Sequence, residues 1–105
     1  MLNWYPSLYL GESVKHKSRQ LRFQLNRRKP VKNIWLITLA SNGRDALDLV
    51  SSTYLIQPLF AERLPMVIGL AKGRAEAIDV VTEMTEACYA ETGDADLRSW
   101  LLGRC

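Results

Sequence analysis

Long apolar runs, histidine and cysteine are scarce in this chain of 105 residues. The longest uninterrupted apolar stretch, Ile34 to Ala40, is seven residues long and contains Thr38. A membrane-spanning helix needs roughly 20, so no such segment is expected and membranes are not among the expected partners. The opening Met1-Leu2-Asn3-Trp4-Tyr5-Pro6 sets no cation ahead of an apolar run, and Pro6 interrupts it, so it does not read as a secretory leader; a cytoplasmic location is the expectation. The two cysteines, Cys88 and Cys105, form no Cys-x-x-Cys pair and lie far in sequence from His16, the one histidine. Free thiols are expected, with Cys88 in the core and Cys105 on an exposed tail. There is no Gly-x-Ser-x-Gly elbow and no His, Cys, Asp and Glu cluster at metal-ligand spacing. No catalytic residue, cofactor or metal is therefore assigned, and the expectation leans away from an enzyme.

What is present is enough for one domain over residues 1–105. Hydrophobic residues make up 48% and charged residues 24%, close to the globular average and sufficient for a core. The net charge of +3 conceals an asymmetry. Lys15, Lys17, Arg19, Arg22, Arg27, Arg28, Lys29 and Lys32 lie between residues 13 and 32 with no acid among them, a segment of +8. The rest of the chain holds six of the 14 bases and all 11 acids, net −5. Such asymmetry points to partners chosen by charge.

Val31 to Ala40 (VKNIWLITLA) and Pro65 to Ala71 (PMVIGLA) are rich in β-branched and large apolar residues and end at turn signals, so each reads as a buried strand. After the first, Asp45 to about Phe60 places Leu47, Val50 and Tyr54 at helical spacing, broken by Ser51-Ser52 and Pro58, which predicts one broken helix or two short ones. After the second, Arg74 to Thr92 sets Ala77, Ile78, Val81, Met84 and Cys88 on one side and stops at Gly93, a natural cap. Sliding the chain by 31 residues lays Leu36 to Val50 over Val67 to Val81 with six identities, among them Ile37/Ile68, Leu39/Leu70 and Asp48/Asp79. This suggests a duplicated βα unit. Two such units in tandem predict a right-handed βαβ with parallel strands. The expected fold is thus a small α/β domain of order α-β-α-β-α: a basic helix over 13–29 capped by Ser13, βα units over 31–60 and 65–92, and a C-terminal cap over 94–105. Two strands make a poor sheet, so the N-terminal segment with Trp4, Tyr5 and Tyr9, or a second copy in a homodimer, is expected to complete it.

Parallel strands would bring the turns Ser41-Asn42-Gly43-Arg44 and Lys72-Gly73-Arg74 to one sheet edge, where open α/β sheets bind ligands. Asn42, Gly43, Arg44, Lys72, Gly73 and Arg74 are therefore candidates for holding a phosphate-bearing small molecule, although neither turn has Walker or Gly-x-Gly-x-x-Gly spacing. The basic segment is a candidate nucleic-acid surface through Lys15, Arg19, Arg22, Arg27, Arg28 and Lys29, with Phe23 available for stacking. The third helix carries Glu76, Asp79, Glu83 and Glu86 at spacings of three and four, an acidic stripe that is the alternative mate of the basic helix, within one chain or across a homo-oligomer.

The segments WYPSLYLGESV, WLITLASNGRDALDLV and MVIGLAKGRAEAIDVV resemble a family of short, uncharacterised bacterial proteins of about this length. The resemblance implies a stand-alone domain and carries over no activity and no site residue. Three functions follow from the residues: an interaction or regulatory protein with charge-complementary faces, a nucleic-acid binder using residues 15–32, and a small-anion or nucleotide binder at the paired turns.

Overall fold

Four strands form one mixed sheet in the computed structural model, which describes residues 2–29, 31–40, 46–94 and 96–103. The elements run β1 (Trp4–Leu10), a 3₁₀ turn (Glu12–Lys17), α1 (Ser18–Asn26), β2 (Ile34–Leu39), β3 (Leu47–Ser51), a second 3₁₀ turn (Ser52–Ile56), α2 (Pro58–Arg63), β4 (Val67–Lys72), α3 (Gly73–Thr92) and α4 (Leu97–Gly103). The sheet order is β1-β4-β2-β3, with β1 parallel to β4 and β2 antiparallel to both β3 and β4.

Alternation along β2 assigns its side chains to two layers. Ile34 and Leu36 face α1, the second 3₁₀ turn and α2, where Val14, Leu21, Leu25, Leu55, Val67 and Leu70 complete one core. Ile37 and Leu39 face α3 and α4 and meet Tyr5, Ile68, Ala77, Met84, Cys88 and Leu101. A strand buried on both faces has little room for polar side chains, which accounts for the apolar runs IWLITL and VIGLA. In β4 the strict alternation breaks. Ile37 pairs with Gly69 but Thr38 pairs with Val67, so one extra residue is inserted opposite β2. This β-bulge lets Val67 and Leu70 both face the α1 layer while Ile68 and Ala71 both face α3.

The two central strands are antiparallel, which corrects the expectation of a parallel pair. The cause is the segment after β2. Leu47–Ser51 is not helical; it returns along β2 as a hairpin, with Ala40 N–H donating to the Ala46 carbonyl at 3.1 Å. The broken helix expected over Asp45 to Phe60 reduces to the 3₁₀ turn and the six-residue α2, which Pro58 starts because its missing N–H is not needed in a first turn. A parallel crossover does exist, but it runs from β3 through α2 to β4, with β2 lying between the two strands. The order α-β-α-β-α is replaced accordingly by one in which the N-terminal segment supplies a strand, β1.

The basic segment is also divided. Gly11 N–H donates to the Leu70 carbonyl at 2.9 Å, so the chain is still held to β4 when the 3₁₀ turn begins. Ser13 is not an N-cap: it sits inside that turn, and its hydroxyl donates to Glu76. α3 closes at Gly93, whose φ of 82° is the left-handed conformation that glycine adopts without strain. β1 is fastened to the far end of the chain by Tyr5, whose buried hydroxyl donates to the Leu101 carbonyl at 2.7 Å. Tyr5→Phe is expected to cost about 1 kcal/mol, read as a fall in melting temperature of about 4–8 °C by calorimetry.

Candidate nucleic-acid interface

Residues of an α-helix advance by about 100°, so Leu21 and Leu25 of α1 project together and Arg19, Arg22 and Phe23 project away from them. Leu21 and Leu25 are buried against the sheet. Arg19, Arg22 and Phe23 are exposed, Phe23 by 60%. One turn further on, the Arg27 guanidinium stands 5.4 Å from the centre of the Phe23 ring, a cation–π arrangement. Lys15, Lys17, Arg27, Arg28, Lys29 and Lys32 are exposed as well. The one ion pair between described residues is Lys15 with Glu12, at 2.8 Å. The hydrogen bond that Lys15 donates to Glu12, then the charge of that carboxylate, raise the Lys15 pKa, with Glu83 adding a smaller push. The other cations of this segment face solvent.

The end of α1 keeps a cation where glycine is the favoured residue. Arg28 N–H donates to the Leu25 carbonyl at 2.9 Å and Lys29 N–H to the Gln24 carbonyl at 3.1 Å. That is the Schellman pattern, whose turning residue is left-handed, and Arg28 adopts it at φ 58°. A side chain there costs about 1 kcal/mol relative to glycine. Arg28→Gly is therefore expected to raise stability by about 0.5–1 kcal/mol in chemical denaturation while lowering affinity for polyanions. Beside Arg28, Asn26 Oδ1 accepts from the Leu2 N–H (3.1 Å) and the Trp4 indole N–H (2.9 Å), which fixes the start of the chain to the end of α1. An open cleft of about 550 Å³ lies between Leu2, Asn26, Arg28, Pro58 and Glu62.

The acidic stripe belongs to the opposite layer. α1 packs on one face of the sheet and α3 on the other, so Arg19, Arg22 and Arg27 do not meet Glu76, Asp79, Glu83 and Glu86 within one chain. The 3₁₀ turn ahead of α1 does reach α3, and its Lys15 shares a cleft with Glu12, Glu76, Asp79 and Glu83. There the Glu76 carboxylate accepts from the Ser13 hydroxyl (2.7 Å), the Ser13 N–H (3.3 Å) and the Lys72 N–H (2.9 Å). Burial is the largest single influence on Glu76 and pushes its pKa up. The bonds from Lys72 and Ser13, with the Lys72 charge, outweigh it, so the pKa lies below the ordinary 4.5. A carboxyl with a depressed folded pKa contributes stability that is complete above its unfolded value and is lost as pH falls through the folded one. Denaturation midpoints measured from pH 7 down to about pH 3 should therefore fall more steeply for the wild type than for Glu76→Gln. Parallel curves would remove Glu76 from the account.

This geometry bears on the paired turns. Because β2 and β4 are antiparallel, the C-terminal end of β4 lies beside the start of β2, and the premise that set the two turns at one edge falls. Asn42, Gly43 and Arg44 lie outside the described residues. At the second turn Lys72 N–H is bonded to Glu76, and Gly73 N–H to the Asn33 carbonyl at 2.6 Å. An anion arriving at Lys72, Gly73 and Arg74 would have to displace the carboxylate already there. Among the described residues no three His, Cys, Asp or Glu side chains converge as a metal site, and no helix is long and apolar enough to cross a membrane. His16 is exposed, and Cys88 is buried as a free thiol.

Two features of this surface have no sequence signal. Nothing in Arg27-Arg28-Lys29 announces a left-handed residue, and no local pattern links Asn26 to Trp4. Comparison with protein families, characterised proteins and solved structures finds no match for the chain, so its own residues carry the functional reading.

Proposed function

We propose that the protein is a non-catalytic nucleic-acid-binding module, which holds the phosphate backbone with Lys15, Arg19, Arg22, Arg27, Arg28 and Lys29. The carrying observation is that these side chains are exposed and, Lys15 apart, have no acidic partner within ion-pair distance among the described residues. Guanidinium groups suit phosphate because their planar forks donate two parallel hydrogen bonds. Phe23, at the outermost position of α1 and flanked by Arg19, Arg22 and Arg27, offers a face on which an unpaired base can stack. The left-handed Arg28 supports the same reading, since its charge is kept at a conformational cost.

Beyond Lys15, which adjoins Asp79 and Glu83, a pairing of basic and acidic faces within one chain is not favoured, because α1 and α3 occupy opposite layers. The test is fluorescence anisotropy of labelled single- and double-stranded oligonucleotides at about 50 and 200 mM salt. Six phosphate contacts cost roughly 10³ in affinity across that range. Binding with that slope is the expected result. Absence of binding to either oligonucleotide at the lower salt would overturn the proposal.

A further inference from the structure

The two edges of the sheet are finished differently. β1 carries Pro6 and an irregular register against β4, both of which discourage a further strand. β3, Leu47-Asp48-Leu49-Val50-Ser51, has no proline, no lysine and an unbroken register from Trp35↔Ser51 to Leu39↔Leu47. All five of its residues are half-exposed. Ala40 donates to Ala46, and antiparallel ladders alternate bonded with unbonded pairs. Asp48 and Val50 therefore turn their main-chain groups toward β2, while Leu47, Leu49 and Ser51 turn theirs outward. No hydrogen bond to another described element meets those outward groups of Leu47 and Leu49.

We propose that this edge pairs with the β3 of a second copy of the chain, antiparallel about a two-fold axis at Leu49, to give a continuous eight-stranded sheet. In that register Leu49 faces Leu49, Leu47 faces Ser51, and Asp48 faces Val50. The strand's only charge thus meets an apolar side chain and not its like. Charge complementarity is compatible with the same occupant. Val50 shares a cleft with Phe60, Arg63 and the chain's own Asp48, and Arg63 is exposed with no carboxylate within ion-pair distance among the described residues. In the paired register the second copy's Asp48 stands opposite Val50 beside this cleft, so two carboxylates and two guanidiniums gather on one face of the seam. Next to the cleft, the Tyr54 ring lies tilted against Phe60 with centres 5.5 Å apart and Tyr54 is 53% exposed, while Ile56 and Leu59 are exposed by 62% and 66%. These apolar side chains lie on α2 and the turn before it, where a second copy would cover them.

An axis that extends a sheet by antiparallel pairing stands perpendicular to it, so both copies present the same layer on the same side. The two α1 helices then share one surface. The dimer itself does not rest on the nucleic-acid reading, and its test contains no nucleic acid.

The mass in solution is measured by light scattering and sedimentation at about 100 mM and 1 M salt, where surface charge pairs are screened. Twice the 12.0 kDa chain mass at both salts is expected. Leu49→Lys should return the mass to that of one chain with unchanged far-UV circular dichroism. Leu49→Cys in a Cys105→Ser background should cross-link on oxidation, because facing residues of a bonded pair stand about 5.5 Å apart between Cα atoms, within disulfide reach. The cross-link decides the matter if Leu49→Lys fails to fold. A monomer at about 100 μM, a dimer dissolved by salt, a dimer that survives Leu49→Lys, or a dimer without the Leu49→Cys cross-link would each overturn the proposal.

Discussion

Replacing Arg19, Arg22 and Arg27 together by alanine is expected to weaken oligonucleotide binding by about 10²–10³ at about 0.1 M salt. Each phosphate neutralised releases a counterion, and affinity scales as salt raised to about −0.9 per contact on duplex. Relative to 1 M, three contacts at 0.1 M therefore contribute a factor of about 500. The slope of log affinity against log salt should flatten by about 2–3 in the same variant. The fold should persist. None of the three makes an ion pair with a described residue, exposed substitutions of this kind shift stability by about 0.5 kcal/mol or less, and alanine is the strongest helix former for α1. Anisotropy beside circular dichroism separates the two effects. A correctly folded triple variant with undiminished affinity would falsify the assignment of this face.

Gly69→Ala is expected to cost about 2–3 kcal/mol, lowering the melting temperature by roughly 8–24 °C. A Cβ at Gly69 would stand 2.7 Å from the Tyr9 carbonyl oxygen and 3.3 Å from Ile37 Cδ1. Ile37 can give a few tenths of an ångström. The Tyr9 carbonyl cannot, because it belongs to the main chain of β1, which is paired at Tyr9↔Gly69 and Leu10↔Leu70 and held again by the bond from Gly11 to Leu70. The substitution therefore pushes the edge strand away from the bulge. Tyr5 and its bond to Leu101 move with it. Thermal unfolding measures the loss, and an unchanged melting temperature would mean that β1 is not seated as closely as described.

The two central strands are legible in the sequence because burial on both faces leaves a continuous apolar run, as in Ile34-Trp35-Leu36-Ile37 and Val67-Ile68-Gly69-Leu70. Gly93 is legible as a stop for the same kind of local reason. Leu47–Ser51 is not. Leu47, Val50 and Tyr54 fit a helix, Leu47 and Leu49 fit a strand, and five residues are too few to separate the two periods. The hairpin bond between Ala40 and Ala46 decides it, and that is a property of the pairing. The direction of β4 then follows from β3, which is why a wrong period in five residues reversed the relation between the central strands. At the basic surface the charges are plain from counting. That they stay uncovered depends on which layer α1 joins, through Leu21 and Leu25, and which α3 joins, through Ala77, Met84 and Cys88. Neither helix carries that choice in its own pattern.

Of the described strands β1 is the first to be synthesised, and its one partner in the sheet, β4, is the last. Trp4 pairs with Val67, 63 positions later (67 minus 4), whereas β2 and β3 are neighbours along the chain and can close as a hairpin at once. At about 5–20 residues per second, the ribosome takes roughly 3–13 s to supply that partner. The core beneath α1 waits equally, because Leu21 and Leu25 share it with Val67 and Leu70 of the same late strand. Trp4 and Leu8 thus leave the exit tunnel before the Val67 and Leu70 of their core have been made. The bare Cα of Gly69 is the place where β1 closes on β4, so the pairing that spans the most chain converges on a residue with no side chain.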